Sequence, residues 1–193
     1  MLEADLSDEH EIERLLAKVS EQAGAVDVLV NNAGLGDSVL FDRSDWTRTR
    51  QLLRTNISAV AQLASTLVPG MVKRGRGGVL NIGSGAGLTV LPNAAAYVGS
   101  KHFVAGFSEA LRADLSGTGV TVTQVCPGPV ESEFDQAAGS QAGMIGTRAE
   151  ARVFPGRSYR FLMRMLPLFP LWMRRKQAAN IAARLRAQRI SGR

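Results

Sequence analysis

"GVLNIGSGAGLTVLPNAAAYVGSKHF", residues 78–103, decides how the rest of the chain is read. "GVLNI" (78–82) is a short, mostly apolar run and predicts a strand. Glycines follow at 83, 85 and 87, and from residue 94 the pattern turns helical as far as residue 115, where "SGTG" (116–119) stops it. Strand, glycine-rich turn and helix in succession form one half of a βαβ crossover.

The neighbouring segments repeat the alternation. "VDVLV" (26–30) reads as a buried strand and "VTVTQV" (120–125) as a third one. Residues 7–23 predict a helix with Ser7 as its N-cap, Ile12, Leu15, Leu16 and Val19 at helical spacing, and Gly24 at its end. Residues 45–75 predict a long helix that Pro69 should end or kink. Strands alternating with helices of ten or more residues predict an α/β fold. Its form is a three-layer α/β/α sandwich with a mostly parallel sheet and helices on both faces. No internal repeat or low-complexity segment interrupts it.

Ligands of such sheets bind outside the carboxyl ends of the strands. That rim takes in "NNAG" (31–34), "GSGAG" (83–87) and "PGPVES" (127–132), each of which follows a predicted strand. Tyr97 and Lys101 lie four residues apart in a predicted helix, so they rise about 6 Å and share a face. A nearby ammonium favours the phenolate and would make Tyr97 a useful acid–base near neutral pH. Ser84 sits in the turn before that helix, and Asn56 is a polar residue within an apolar helix. Each feature also has an ordinary structural reading: a chance Y-x-x-x-K, a turn at "NNAG", a solvated face at Asn56. Their joint occurrence along one rim is hard to assign to chance.

In this order, "NNAG", Asn56, Ser84, Tyr97-x-x-x-Lys101 and "PGPV" resemble the short-chain dehydrogenase/reductase pattern over about residues 1–134. The resemblance implies a Rossmann-type fold, an NAD or NADP cofactor and a small-molecule carbonyl or alcohol substrate, and the apolar tail suggests a lipophilic one. It implies that Tyr97 is general acid in reduction and general base in oxidation. Lys101 would hold the nicotinamide ribose, Ser84 the carbonyl oxygen, and Asn56 a water of a proton relay. The backbone of Val130 and the hydroxyl of Ser132 would meet the nicotinamide carboxamide, and Asp5, in "ADLSD", the adenine. Leu6, Asn31, Ala33 and Gly34 complete the implied cofactor-binding set, together with Tyr97 and Lys101. The helices around 45–72 and 96–115 would pair subunits into a homo-oligomer.

That pattern opens with a strand and a T-G-x-x-x-G-x-G turn, which the 193 residues do not contain. "GSGAG" does not replace it, because residue 88 is Leu where G-x-G-x-x-G needs glycine. The expectation is an N-terminally truncated member that lacks the first βαβαβ portion, with "VDVLV" as an open apolar edge. Such a chain binds its cofactor weakly and turns over slowly or not at all. The alternative is a non-catalytic fragment acting as an interaction or membrane-associated module. The ribose-contacting residues that separate NAD from NADP would fall in the portion lacking here.

Composition adds a boundary. The 193 residues, 45% hydrophobic, suffice for a sizeable core. A single cysteine, Cys126, and an acidic N-terminus without an apolar leader predict a soluble, cytoplasmic protein. His10, His102 and Cys126 have no metal-ligand spacing, so no metal site is expected. From Arg148 onward twelve Lys/Arg face one acid, whereas the first 147 residues hold eleven basic against sixteen acidic. The chain therefore divides into a partial Rossmann-type catalytic domain (1–147) and a basic, apolar tail (148–193). Within the tail "FPGRSYRFLMRMLPLFPLWMRRK" (154–176) reads either as a substrate lid or as a peripheral membrane anchor. No nucleic-acid motif accompanies it. On the anchor reading, deleting residues 157–176 abolishes flotation with anionic liposomes; unchanged flotation dismisses that reading.

Overall fold

The computed structural model describes residues 1–127 and the isolated helical positions Met165 and Asn180. Val130, Ser132 and the remainder of the tail lie outside the described residues. Helix α1 (Glu9–Ala23) leads to strand β1 (Val28–Asn31). A long helical stretch follows, made of α2 (Trp46–Leu53), a π turn (Arg54–Ser58) and α3 (Ala59–Arg74). Strand β2 (Gly77–Ile82), a 3-10 turn (Gly85–Leu88), α4 (Ala95–Asp114) and β3 (Val120–Val125) complete the order.

The three strands are parallel in the order β1-β2-β3. Register places Leu29 beside Val79 and Val79 beside Val122. Those side chains face α1, α3 and α4 and form the core with Ile12, Leu63, Val68, Met71 and Leu115. The α/β class and the parallel sheet stand as the sequence predicts. Of the three expected layers, the described residues supply two, because their helices pack on this one face. On the opposite face Val28 and Val30 are 61% and 52% exposed, so "VDVLV" is a half-exposed strand and not a buried one. No helix among the described residues is long and apolar enough to cross a membrane.

Two local readings change. The N-cap of α1 is Asp8, whose side chain accepts from His10 N–H, while Ser7 gives its own N–H to Asp5 Oδ1 at 2.8 Å. Asp5 closes a tight turn there, which moves the start of the helix one residue on. Pro69 does not end α3, which runs on through it to Arg74. It lies on the exposed side of the helix, where water can serve the carbonyl that its missing N–H leaves free. The long helix departs from α geometry at residues 54–58 instead.

Behind the rim, a buried polar row ties the sheet to α4. Asn31 Nδ2 donates to Asn81 Oδ1 at 2.8 Å, Asn81 Nδ2 to Ser108 Oγ at 2.9 Å, and Ser108 Oγ to the Val104 carbonyl at 2.7 Å. Asn81 is 0% exposed. A buried amide costs free energy unless paired, so this row favours one register of β1 on β2 and one seat for α4.

Candidate active site

Asn56 stands in the π turn and is 1% exposed. Its Oδ1 accepts from Leu35 N–H at 2.8 Å, and its Nδ2 donates to the Leu35 carbonyl at 2.9 Å and to Ser100 Oγ at 3.0 Å. The amide thereby pairs both backbone groups of the residue that follows "NNAG". A single wider turn inside a helix is a frequent companion of functional sites, and here it turns Asn56 onto the rim. Arg54, in the same turn, donates to the Ser7 carbonyl at 3.4 Å and links it to the loop before α1.

Lys101 is 6% exposed, and its Nζ donates to the Ile82 carbonyl at 3.0 Å at the end of β2. The ammonium lies 5.8 Å from the centroid of the Tyr97 ring, within cation–π range. Burial pushes the Lys101 pKa below its ordinary value, and the negative charge that Cys126 carries when ionised opposes that shift. Burial likewise pushes the Cys126 thiol up, partly offset by the Ser84 backbone N–H and by Lys101. Cys126 is therefore held as a thiol beside the lysine.

Gly34 lies between the two polar groups. A methyl group there would rest 3.4 Å from Asn56 Oδ1 and 3.5 Å from Lys101 Nζ, so glycine leaves a cradle floored by an amide oxygen and an ammonium. The donor set around it is cationic or neutral, which suits ribose hydroxyls and a carboxamide. Lys101 Nζ has further N–H groups beyond the one held by Ile82. These observations fit a nicotinamide nucleotide.

Ser84 caps the 3-10 turn: its Oγ accepts from Ala86 N–H at 3.1 Å. With one lone pair so engaged, the hydroxyl hydrogen can be donated outward. The turn packs straight onto α4, because a Cβ on Gly87 would overlap the Lys101 carbonyl oxygen. Only a residue without a side chain lets Ser84 and the Tyr97 helix approach this closely.

Asn56, Gly34, Lys101 and Tyr97 thus come together, with the Ser84 turn against the same helix. Asn31 has its amide nitrogen committed inside the sheet to Asn81. Asn32 and Ala33 are exposed at the rim. Asp5 is exposed, and its hydrogen bond to the Ser7 N–H holds its carboxyl below the usual pKa; Leu6 packs against the core. Ser100 is a member of the site that the sequence pattern does not single out. It receives the Asn56 amide and donates to the Tyr97 carbonyl at 2.8 Å. Its place between Tyr97 and Lys101 in "YVGSK" is the one available clue.

The family model described as short chain dehydrogenase matches residues 1–143. The chain belongs to the short-chain dehydrogenase family. Among relatives, it is 43% identical over 123 residues to an uncharacterized oxidoreductase of Myxococcus xanthus, covering 64% of this chain and 48% of that one. It is 30% identical over 133 residues to the 3-oxoacyl-acyl-carrier-protein reductase FabG of Vibrio cholerae, covering 69% and 54%. The chain spans about half the length of the curated relatives it matches. A short-chain dehydrogenase of Sphingobium yanoikuyae in complex with NADPH superposes with a TM-score of 0.68 at 28% identity, over 74% of this chain and 57% of that one. Within this family the described parallel sheet is the Rossmann-like α/β arrangement that the sequence predicts.

Proposed function

We propose that this short-chain dehydrogenase transfers hydride between NAD or NADP and a carbonyl or alcohol carbon. The observation that carries the reading is the cradle at Gly34, walled by the Asn56 amide and the Lys101 ammonium, with Lys101 also over the Tyr97 ring. The nicotinamide, when bound, supplies or accepts the hydride. Lys101 keeps one N–H on the Ile82 carbonyl and offers the others to ribose hydroxyls. Ser84 donates its hydroxyl hydrogen to the carbonyl oxygen, where negative charge develops in reduction. Tyr97 delivers a proton to that oxygen in reduction and removes it in oxidation, its phenolate favoured by the nearby ammonium. Asn56 pins the Leu35 backbone, and the second lone pair of its Oδ1 holds a water that relays protons to Lys101.

A lipophilic carbonyl is the proposed substrate. It is supported by the exposed Leu35 and Val90 on the loops after β1 and after the Ser84 turn, and by the acyl substrate that the Vibrio cholerae relative's name states. Val130 and Ser132 are proposed for the carboxamide and Asp5 for the adenine.

Fluorescence titration of the 193-residue chain with NADH and NADPH tests the proposal, with Gly34→Ala as the control. No left-handed backbone is required at Gly34 and the methyl contacts are ordinary, so the variant should fold. Its methyl group fills the cradle, and cofactor affinity is expected to fall by tenfold or more, about 1.4 kcal/mol. No saturable binding by the wild-type chain, or equal binding by both, would sink the reading.

A further inference from the structure

Asn93 is the one non-glycine residue with a positive φ among the described residues, at 67°. Asparagine tolerates this left-handed conformation better than most residues, and it still marks a position the surroundings must hold. Asn93 stands just ahead of α4, whose N-cap, Ala94, supplies no side-chain hydrogen bond. Its own amide reaches across the rim instead, with Nδ2 donating to Ser38 Oγ at 3.0 Å.

That bond closes a circuit. Ser38 belongs to the loop after β1, as does Leu35; Leu35 is held through both backbone groups by Asn56; Asn56 donates to Ser100; and Ser100 is in α4 again. Asn93 and Ser100 lie four residues before and three residues after Tyr97. Both ends of the first turns of α4 are therefore tied to the same 35–38 loop, one through Asn56 and one through Asn93. Residues 93 and 38 are 55 positions apart in the chain, so nothing local enforces the contact.

We propose that the Asn93–Ser38 hydrogen bond positions Tyr97: it completes the circuit that fixes the entry of α4 and with it the placement of the phenol against Lys101. Asn93 is a positioning residue, acting through the helix and touching neither cofactor nor substrate. The inference rests on the reading of Tyr97 as the acid–base, and its test requires no ligand.

The chain has two tyrosines, so in a Tyr159→Phe background the phenolate absorbance at 295 nm reports Tyr97 alone. Asn93→Gly keeps the left-handed conformation and deletes the amide; Ser38→Ala deletes the acceptor; Ser38→Thr keeps a hydroxyl. With the circuit open, coupling to the ammonium weakens. The Tyr97 midpoint is then expected to rise by about half a pH unit or more in Asn93→Gly and Ser38→Ala. It should rise no further in the double variant, and should stay at the wild-type value in Ser38→Thr. A bond that merely stabilises would change Tm and leave the midpoint where it was. An unmoved midpoint in both deletions, or shifts that add in the double variant, overturns the proposal. Failure of NAD(P)H binding in the titration of the Gly34 cradle would count against the reductase reading and leave this measurement standing.

Discussion

Tyr97→Phe is expected to lower kcat by about 10²–10⁴-fold, the usual contribution of a positioned acid–base group. Phenylalanine keeps the aromatic ring beneath the Lys101 ammonium, which lies 5.8 Å from the ring centroid in the native chain. The Ser100 hydroxyl still finds the carbonyl of residue 97, because that bond is to the backbone. What disappears is the phenol oxygen proposed to give and take the proton. NAD(P)H affinity should therefore stay close to wild type while turnover is lost, and KM should change little. The assay follows NAD(P)H oxidation against a panel of lipophilic ketones and aldehydes. A variant with full turnover would remove Tyr97 from the chemistry and return Y-x-x-x-K to chance.

Lys101→Met should separate stability from activity in the opposite sense. The ammonium is buried, with the Ile82 carbonyl as its one hydrogen-bond partner among the described residues. Burial is the main reason its pKa lies below the ordinary lysine value. A buried ammonium with one carbonyl partner is underpaired, and a methionine of similar length removes that cost. Stability is expected to increase by about 1 kcal/mol, or roughly 2–4 °C in Tm, while turnover collapses. The pH dependence gives an independent check. Below the lowered folded pKa, lysine is protonated in both states and contributes no slope. Between that pKa and the ordinary value of ~10.4 the unfolded chain binds a proton that the folded chain does not, so stability rises with pH. Above it the contribution is flat again. The stability difference between wild type and Lys101→Met should show this rise on the alkaline side, where the raised Cys126 thiol adds an opposite slope to both chains. A destabilised variant with the slope intact would mean that the charge is better paired than its burial implies.

The segments that carry strong local signals were legible in the sequence. "VTVTQV" is β3 to the residue, because alternation and flanking glycines bound it on one side and Cys-Pro on the other. Helix α4 runs from residue 95 to 114 where the pattern predicts 94–115. Tyr97 and Lys101 could be placed on one face from helical spacing alone. The π turn could not, since it depends on Asn56 pairing with Leu35, 21 residues away. The same holds for Gly87, which looks like any turn glycine until the Lys101 carbonyl is found against it. Val28 and Val30 misled in the other direction. Aliphatic composition predicts burial, but which layers cover a strand is a property of the whole assembly. Asn31, grouped with the rim by its motif, has an amide used by the sheet, a distinction that side-chain direction alone decides.

The π turn has a consequence for how this chain tolerates change in length. Five residues occupy a place where a regular helix would use fewer, so a one-residue deletion within 54–58 would restore even winding to the stretch from Trp46 to Arg74. The backbone would be hydrogen-bonded in the α pattern throughout, and the side chains of the turn would be re-aimed while α2 and α3 keep their relative orientation. Asn56 would leave Leu35 and Ser100, and Arg54 would leave the loop before α1. At this point the site is encoded in a count of residues as much as in their identities, and the irregularity is what a length-conserving substitution preserves and a deletion erases.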